Sequence, residues 1–200
     1  MRVVIIGASG TIGQAVANAL SSRHEVVRVG RTRGAFQVDL GSKDSVERLY
    51  QAVSPFDAVI SAAGLAKFGS LEDLTDSDFQ FSLSNKLMGQ VNLVRLGLPC
   101  IRDGGSFTLT SGVLASEPMP GSAAISLVNA GVEGFVRAAA LEAPRGVRIN
   151  AVSPPWVAET LEMMGQDRSA GIPAVKVASA YVESVEGTQN GKIFDARAFA

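Results

Sequence analysis

Residues 2–16 read RVVIIGASGTIGQAV, and this stretch decides the architecture. VVII is a short continuous apolar run, as expected of a strand buried on both faces of a parallel sheet. It breaks into three glycines, Gly7, Gly10 and Gly13, and then into a helix with Ile12, Val16, Ala19 and Leu20 at helical spacing. Gly7 permits the tight turn, Gly10 leaves room for a diphosphate, and Gly13 lets the helix pack close to the sheet. The helix start, with Ser9, Thr11 and Ile12 beside it, offers backbone N–H groups and positive dipole to an anion. The spacing is G-x-x-G-x-x-G rather than G-x-G-x-x-G, so the placement directly after the first strand carries the signal.

Working outward, strands and helices alternate. HEVVRVG (24–30) and AFQVDL (35–40) read as strands, and 42–53 as a helix capped by Ser42. FDAVISAAG (56–64) is strand into glycine turn, followed by a long helical region over about 71–98 with Thr75 or Ser77 as caps. GGSFTLTSG (104–112) is a strand, 122–143 a helix, 145–156 a strand, 173–185 a helix and 191–196 a last strand. This order predicts an α/β fold over residues 1–200: one Rossmann-type doubly wound domain, with a parallel sheet of about seven strands and helices on both faces. Ligands of such sheets bind at the carboxyl ends of strands, near the switch point.

Composition narrows the function. The chain is 46% hydrophobic and 18% charged, as a globular domain should be. A net charge of −1 gives no electrostatic footprint for nucleic acid or an anionic membrane. One cysteine, Cys100, excludes an internal disulfide, and one histidine, His24, leaves no credible metal site. No run is expected to reach the length of a membrane span, and the expected location is the cytoplasm.

The second strand ends VGRTR. A cofactor with a free ribose 2′-OH wants Asp or Glu there; this chain offers Arg31, Thr32 and Arg33. A guanidinium donates a bidentate pair to a 2′-phosphate, which favours NADP(H) over NAD(H).

GASGTIG (7–13), VDL (38–40), SAAG (61–64), TLTSG (108–112) and INAVSPPWVAET (149–160) together resemble the short-chain dehydrogenase/reductases. The resemblance covers essentially the whole chain, with the motifs in order. It implies that Asp39 and Leu40 meet the adenine edge and that Ser61, Ala62, Ala63 and Gly64 flank the adenine-side ribose. It also implies that Thr110, Pro154 and Val157 lie along the cofactor, Val157 holding the nicotinamide carboxamide through its backbone, and that Ser111 is the catalytic serine. The substrate lid is short, about Leu161 to Ile172, and Trp156, Met163 and Met164 are candidates for an apolar substrate pocket.

One feature of the family is missing. Its Tyr-x-x-x-Lys motif falls on Ile125 and Asn129, and the only tyrosines, Tyr50 and Tyr181, lie elsewhere. The family's active-site Asn on the preceding helix falls on Lys86, with Asn85 the competitor if the register slips by one. Lys and Asn look exchanged between the two helices, which makes Ser111, Lys86 and Asn129 the candidate catalytic set. The expected function is NADPH-dependent reduction of a small apolar carbonyl, imine or conjugated C=C, with a non-standard proton donor. The rivals are a non-catalytic NADP(H)-binding sensor and a non-redox isomerase. Small and apolar residues on the two long helices predict a homodimer or homotetramer.

Overall fold

The computed structural model describes residues 1–200. Seven strands form one sheet in which every pairing is parallel: β1 (Arg2–Ile6), β2 (Glu25–Gly30), β3 (Phe36–Gln37), β4 (Phe56–Ser61), β5 (Ile101–Thr110), β6 (Arg148–Ser153) and β7 (Ile193–Asp195). Their order across the sheet is β3-β2-β1-β4-β5-β6-β7, so the direction of winding reverses between β1 and β4. Loops leaving β1 and β4 diverge to opposite faces there, and a crevice opens at their carboxyl ends.

Seven α-helices cover the two faces: α1 (Thr11–Leu20), α2 (Lys43–Val53), α3 (Asp76–Ser82), α4 (Gly89–Gly97), α5 (Ala123–Glu142), α6 (Ala158–Met163) and α7 (Ala174–Glu186). Alternation along β1 separates the two cores. Val4 and Ile6 pack with Leu49, Leu93 and Val132 of α2, α4 and α5; Val3 and Ile5 pack with Val16 and Val177 of α1 and α7. Each such side chain contributes roughly 1.5–3 kcal/mol when fully buried, so the strand ends are held rigidly where the loops begin.

Five expectations from the sequence are corrected. The helix expected over 71–98 begins only at Asp76. Thr75 Oγ1 accepts from the Asp78 amide, and the Asp78 carboxylate accepts from the Thr75 amide, closing a reciprocal cap that fixes the start. That helical run is also not uniform, because Leu83–Met88 is a π-helix between α3 and α4. The third strand keeps only two residues, and α6 occupies part of the segment expected to be lid. Finally, α5 is long and apolar enough to cross a membrane by length and composition, with a mean hydropathy of 1.3 over 18 of its 20 residues. Its Ala124, Val128, Val132 and Val136 are buried on the side that lies against β5 and β6.

Candidate nucleotide and substrate site

Two cavities, each of about 320 Å³, open at the carboxyl ends of the strands and share Ala62, Ala63 and Gly64 as a common wall. The first is bordered by Gly7, Ser9 and Gly10 after β1, Gly30 at the end of β2 and Arg31 after it, Val38 to Leu40 after β3, and Asn85. Two glycines around the loop after β1 are demanded sterically. Gly7 has φ +81°, and a Cβ there would lie 2.6 Å from the Ala62 carbonyl oxygen; one on Gly13 would lie 2.1 Å from the Gly7 oxygen. The start of α1 has Gly10 as N-cap with no side-chain hydrogen bond and no acid in its first turn. An uncapped helix terminus beside a glycine-walled groove fits a phosphate. Arg31 is the cation at the β2 end of that groove, and the Asp39 carboxylate accepts from the Gly41 amide at 3.0 Å.

The structure leaves four expected cofactor residues out of both cavities. Gly13 is buried under the loop, and Thr11 faces a groove between α1 and α7. Thr32 accepts from Gln37 Nε2 through its carbonyl, while Ser61 is fully buried with its carbonyl accepting from Thr110 Oγ1. Ile12, Thr110, Pro154 and Val157 do line the second cavity.

That second cavity brings together Lys86, Ser111 and Asn129, with Ile125, Leu114 and Trp156 as apolar wall. The π-helix settles the register question raised by the sequence. Its wider turn buries two successive residues toward different cavities: Asn85 borders the first and Lys86 the second. Asn85 Oδ1 accepts the Leu65 amide at 2.8 Å and so ties down the chain just after the shared wall. One helical turn later, Gln90 is fully buried and clamps the end of β5, its Oε1 accepting from the Thr110 amide at 2.8 Å and its Nε2 donating to the Thr110 carbonyl at 2.9 Å.

Lys86 is 8% exposed. Its Nζ donates to the Ser111 carbonyl at 3.4 Å, and burial pushes its pKa down to about 8. No aspartate or glutamate lines the cavity with it. Asn129 is 2% exposed, and its Oδ1 has no hydrogen-bond partner. Ser111 sits beside both, but its hydroxyl donates to Glu133 Oε1 at 3.0 Å, and Glu133 in turn pairs with Arg137 at 3.0 Å. At the next residue, a Cβ on Gly112 would lie 2.9 Å from Asn129 Nδ2. The strand-end position directed at Asn129 is therefore a glycine, and the serine hydroxyl is committed one residue earlier. Sequence reasoning missed Glu133 as that hydroxyl's partner; its place four residues after Asn129 on α5 was the available signal. Neither tyrosine takes part: Tyr50 donates to the Leu93 carbonyl, and Tyr181 is hydrogen-bonded to Thr110 on the far side of the sheet end, both fully buried.

The family model described as enoyl-(acyl carrier protein) reductase matches residues 7–187. The chain belongs to the short-chain dehydrogenase/reductase superfamily. Among solved structures, the protein lin1944 from Listeria innocua is 40% identical, with 98% of each chain covered and a TM-score of 0.94. A small-chain dehydrogenase in complex with NADPH is 25% identical over 100% of this chain and 98% of that one, with a TM-score of 0.87. Among curated relatives, hydroxynaphthalene reductase arp2 of Aspergillus fumigatus is 32% identical over 149 residues. That match takes in 70% of this chain but only 55% of the relative, so the chain spans little more than half of that reductase.

Proposed function

We propose that the chain is an NADPH-dependent reductase that passes hydride to a small apolar carbonyl, imine or conjugated C=C, with Lys86 as the proton source. The observation that carries this reading is the placement of the Lys86 ammonium in the cavity beyond the shared wall, among Gly64, Ser111 and Asn129. The groove at Gly7–Gly10 fits the diphosphate, Arg31 fits a 2′-phosphate, and a relative of the same fold holds NADPH. NADPH, when bound, supplies the hydride.

The chain's own residues do the rest. Lys86 holds a proton at Nζ within the cavity, and a lysine whose pKa lies near 8 gives it up more readily than a free one. Asn129 orients a hydroxyl through its free Oδ1, and the Ser111 carbonyl steadies the ammonium. Ser111 Oγ donates to Glu133 Oε1, which holds the hydroxyl in place in the cavity beside Lys86. Imine and enone acceptors demand less of an acid than ketones do, which suits a site with Ile125 in place of a phenol.

A substrate panel followed by NADPH oxidation tests the reading. Lys86→Met should lower kcat by about 10²–10⁴ while NADPH affinity stays within a few-fold. Unchanged turnover in that variant refutes Lys86 as proton source. A second reading, a non-catalytic NADP(H) sensor, is supported by Ile125 and by the committed Ser111 hydroxyl. Tight NADPH binding with no substrate-dependent oxidation across the panel would select it.

A further inference from the structure

Lys86 has two properties beyond those a proton donor needs. It is the only titratable side chain lining its cavity, and it meets one protein acceptor there, the Ser111 carbonyl. An ammonium has three N–H donors. Two remain for a ligand, on a cation with no carboxylate beside it and water largely excluded. A buried charge without a partner is unfavourable, so the cavity favours an occupant that brings an anion. Around it, Ile125 and Leu114 offer apolar side chains and Trp156 a largely apolar ring.

Resting on the reductase reading above, we propose that the substrate is a small apolar 2-oxo acid. Its carboxylate and keto oxygens are adjacent acceptors that take the two free N–H groups of Lys86 together, while its alkyl chain lies against Ile125, Leu114 and Trp156. The step balances: the hydride of NADPH forms the new C–H bond at the keto carbon, and the C=O π electrons become an oxygen lone pair. That oxygen takes a proton from Lys86 Nζ, giving a 2-hydroxy acid, NADP⁺ and a neutral amine that solvent reprotonates. A simple ketone would use one N–H and leave the charge uncompensated.

Calorimetry on the NADP⁺-saturated protein, where no hydride is available, tests this with 2-oxopentanoate, pentanoate and pentan-2-one. The oxo acid should bind at least tenfold more tightly than the ketone, with pentanoate between them. Lys86→Met should abolish the preference, and a melting temperature at or above that of the parent would show that the variant is folded. Ketone binding as tight as that of the oxo acid, or a preference that survives in Lys86→Met, overturns the proposal. Titration with NADPH alone separates the two readings. If the cofactor does not bind, the reductase reading falls. The acid site is then decided by 2-oxopentanoate against pentan-2-one in the cofactor-free protein, followed by fluorescence of Trp156, the only tryptophan.

Discussion

The Lys86 ammonium meets one carbonyl at 3.4 Å and no carboxylate, and that burial makes its contribution to stability depend on pH. Its pKa is about 8 in the folded chain against 10.5 for a free lysine. Below pH 8 both states are protonated, and the folded state carries the full desolvation penalty. Between about 8 and 10.5 the unfolded chain binds more protons, so stability rises with pH; above that window the effect is complete. The difference corresponds to roughly 3 kcal/mol. Lys86→Met should therefore be the more stable protein at pH 7, and urea denaturation should show its advantage shrinking as pH approaches 10.5. At the other cavity, Arg31 should give NADPH an advantage over NADH of about ten- to a hundredfold, roughly 1.5–3 kcal/mol. Calorimetry with both cofactors should find that advantage lost in Arg31→Ala. Both residues were legible in the sequence, because an arginine after β2 and a lysine at an interior helix position are local anomalies. The bond from Ser111 to Glu133 was only half legible: Glu133 follows Asn129 by one helical turn, but pairing it with a strand end 22 residues away depends on side-chain orientations that spacing alone does not fix.

Among the elements, the π-helix matters most to the site. Hydrophobic periodicity located the helical region, but one wider turn changes which face each residue presents without changing composition, so Leu83–Met88 read as ordinary helix. The same limit hid α6, whose six residues are too few to establish a period. The start of α3 was half legible: Thr75 was a candidate cap, yet the preceding turn was drawn into the helix. Asn85 shows what the π-helix positions. Its Oδ1 receives the Leu65 amide, one residue beyond Gly64. Asn85→Ala leaves that amide without its acceptor, which should cost about 1–3 kcal/mol in thermal or urea unfolding. NADPH affinity should fall as well, because Ala62–Gly64 wall both cavities. A loss of stability with unaltered NADPH affinity would show that the shared wall is held by other contacts.

For the molecule as a whole, the seven-stranded parallel sheet followed from the alternation of short apolar strands with amphipathic helices, and the crevice followed from the sheet. What the chain leaves uncovered is informative in turn. Only 33% of the apolar window of α5 is buried, and Leu127 and Leu141 on that helix are 50% and 89% exposed. Phe81 and Met88, on the neighbouring α3 and π-helix, are exposed as well. An apolar helix face of this kind gains by being covered, and a second copy pairing through the same face is self-complementary about a two-fold axis. The expected state is thus a homodimer, or a tetramer built from two such pairs. Light scattering at micromolar concentration should give at least twice the 20.8 kDa chain mass. Leu127→Glu places a carboxylate on the paired face without touching the buried side of α5, so it should shift the mass toward the monomer with NADPH affinity retained. A parent protein that is already monomeric at that concentration would leave the apolar face of α5 without this explanation.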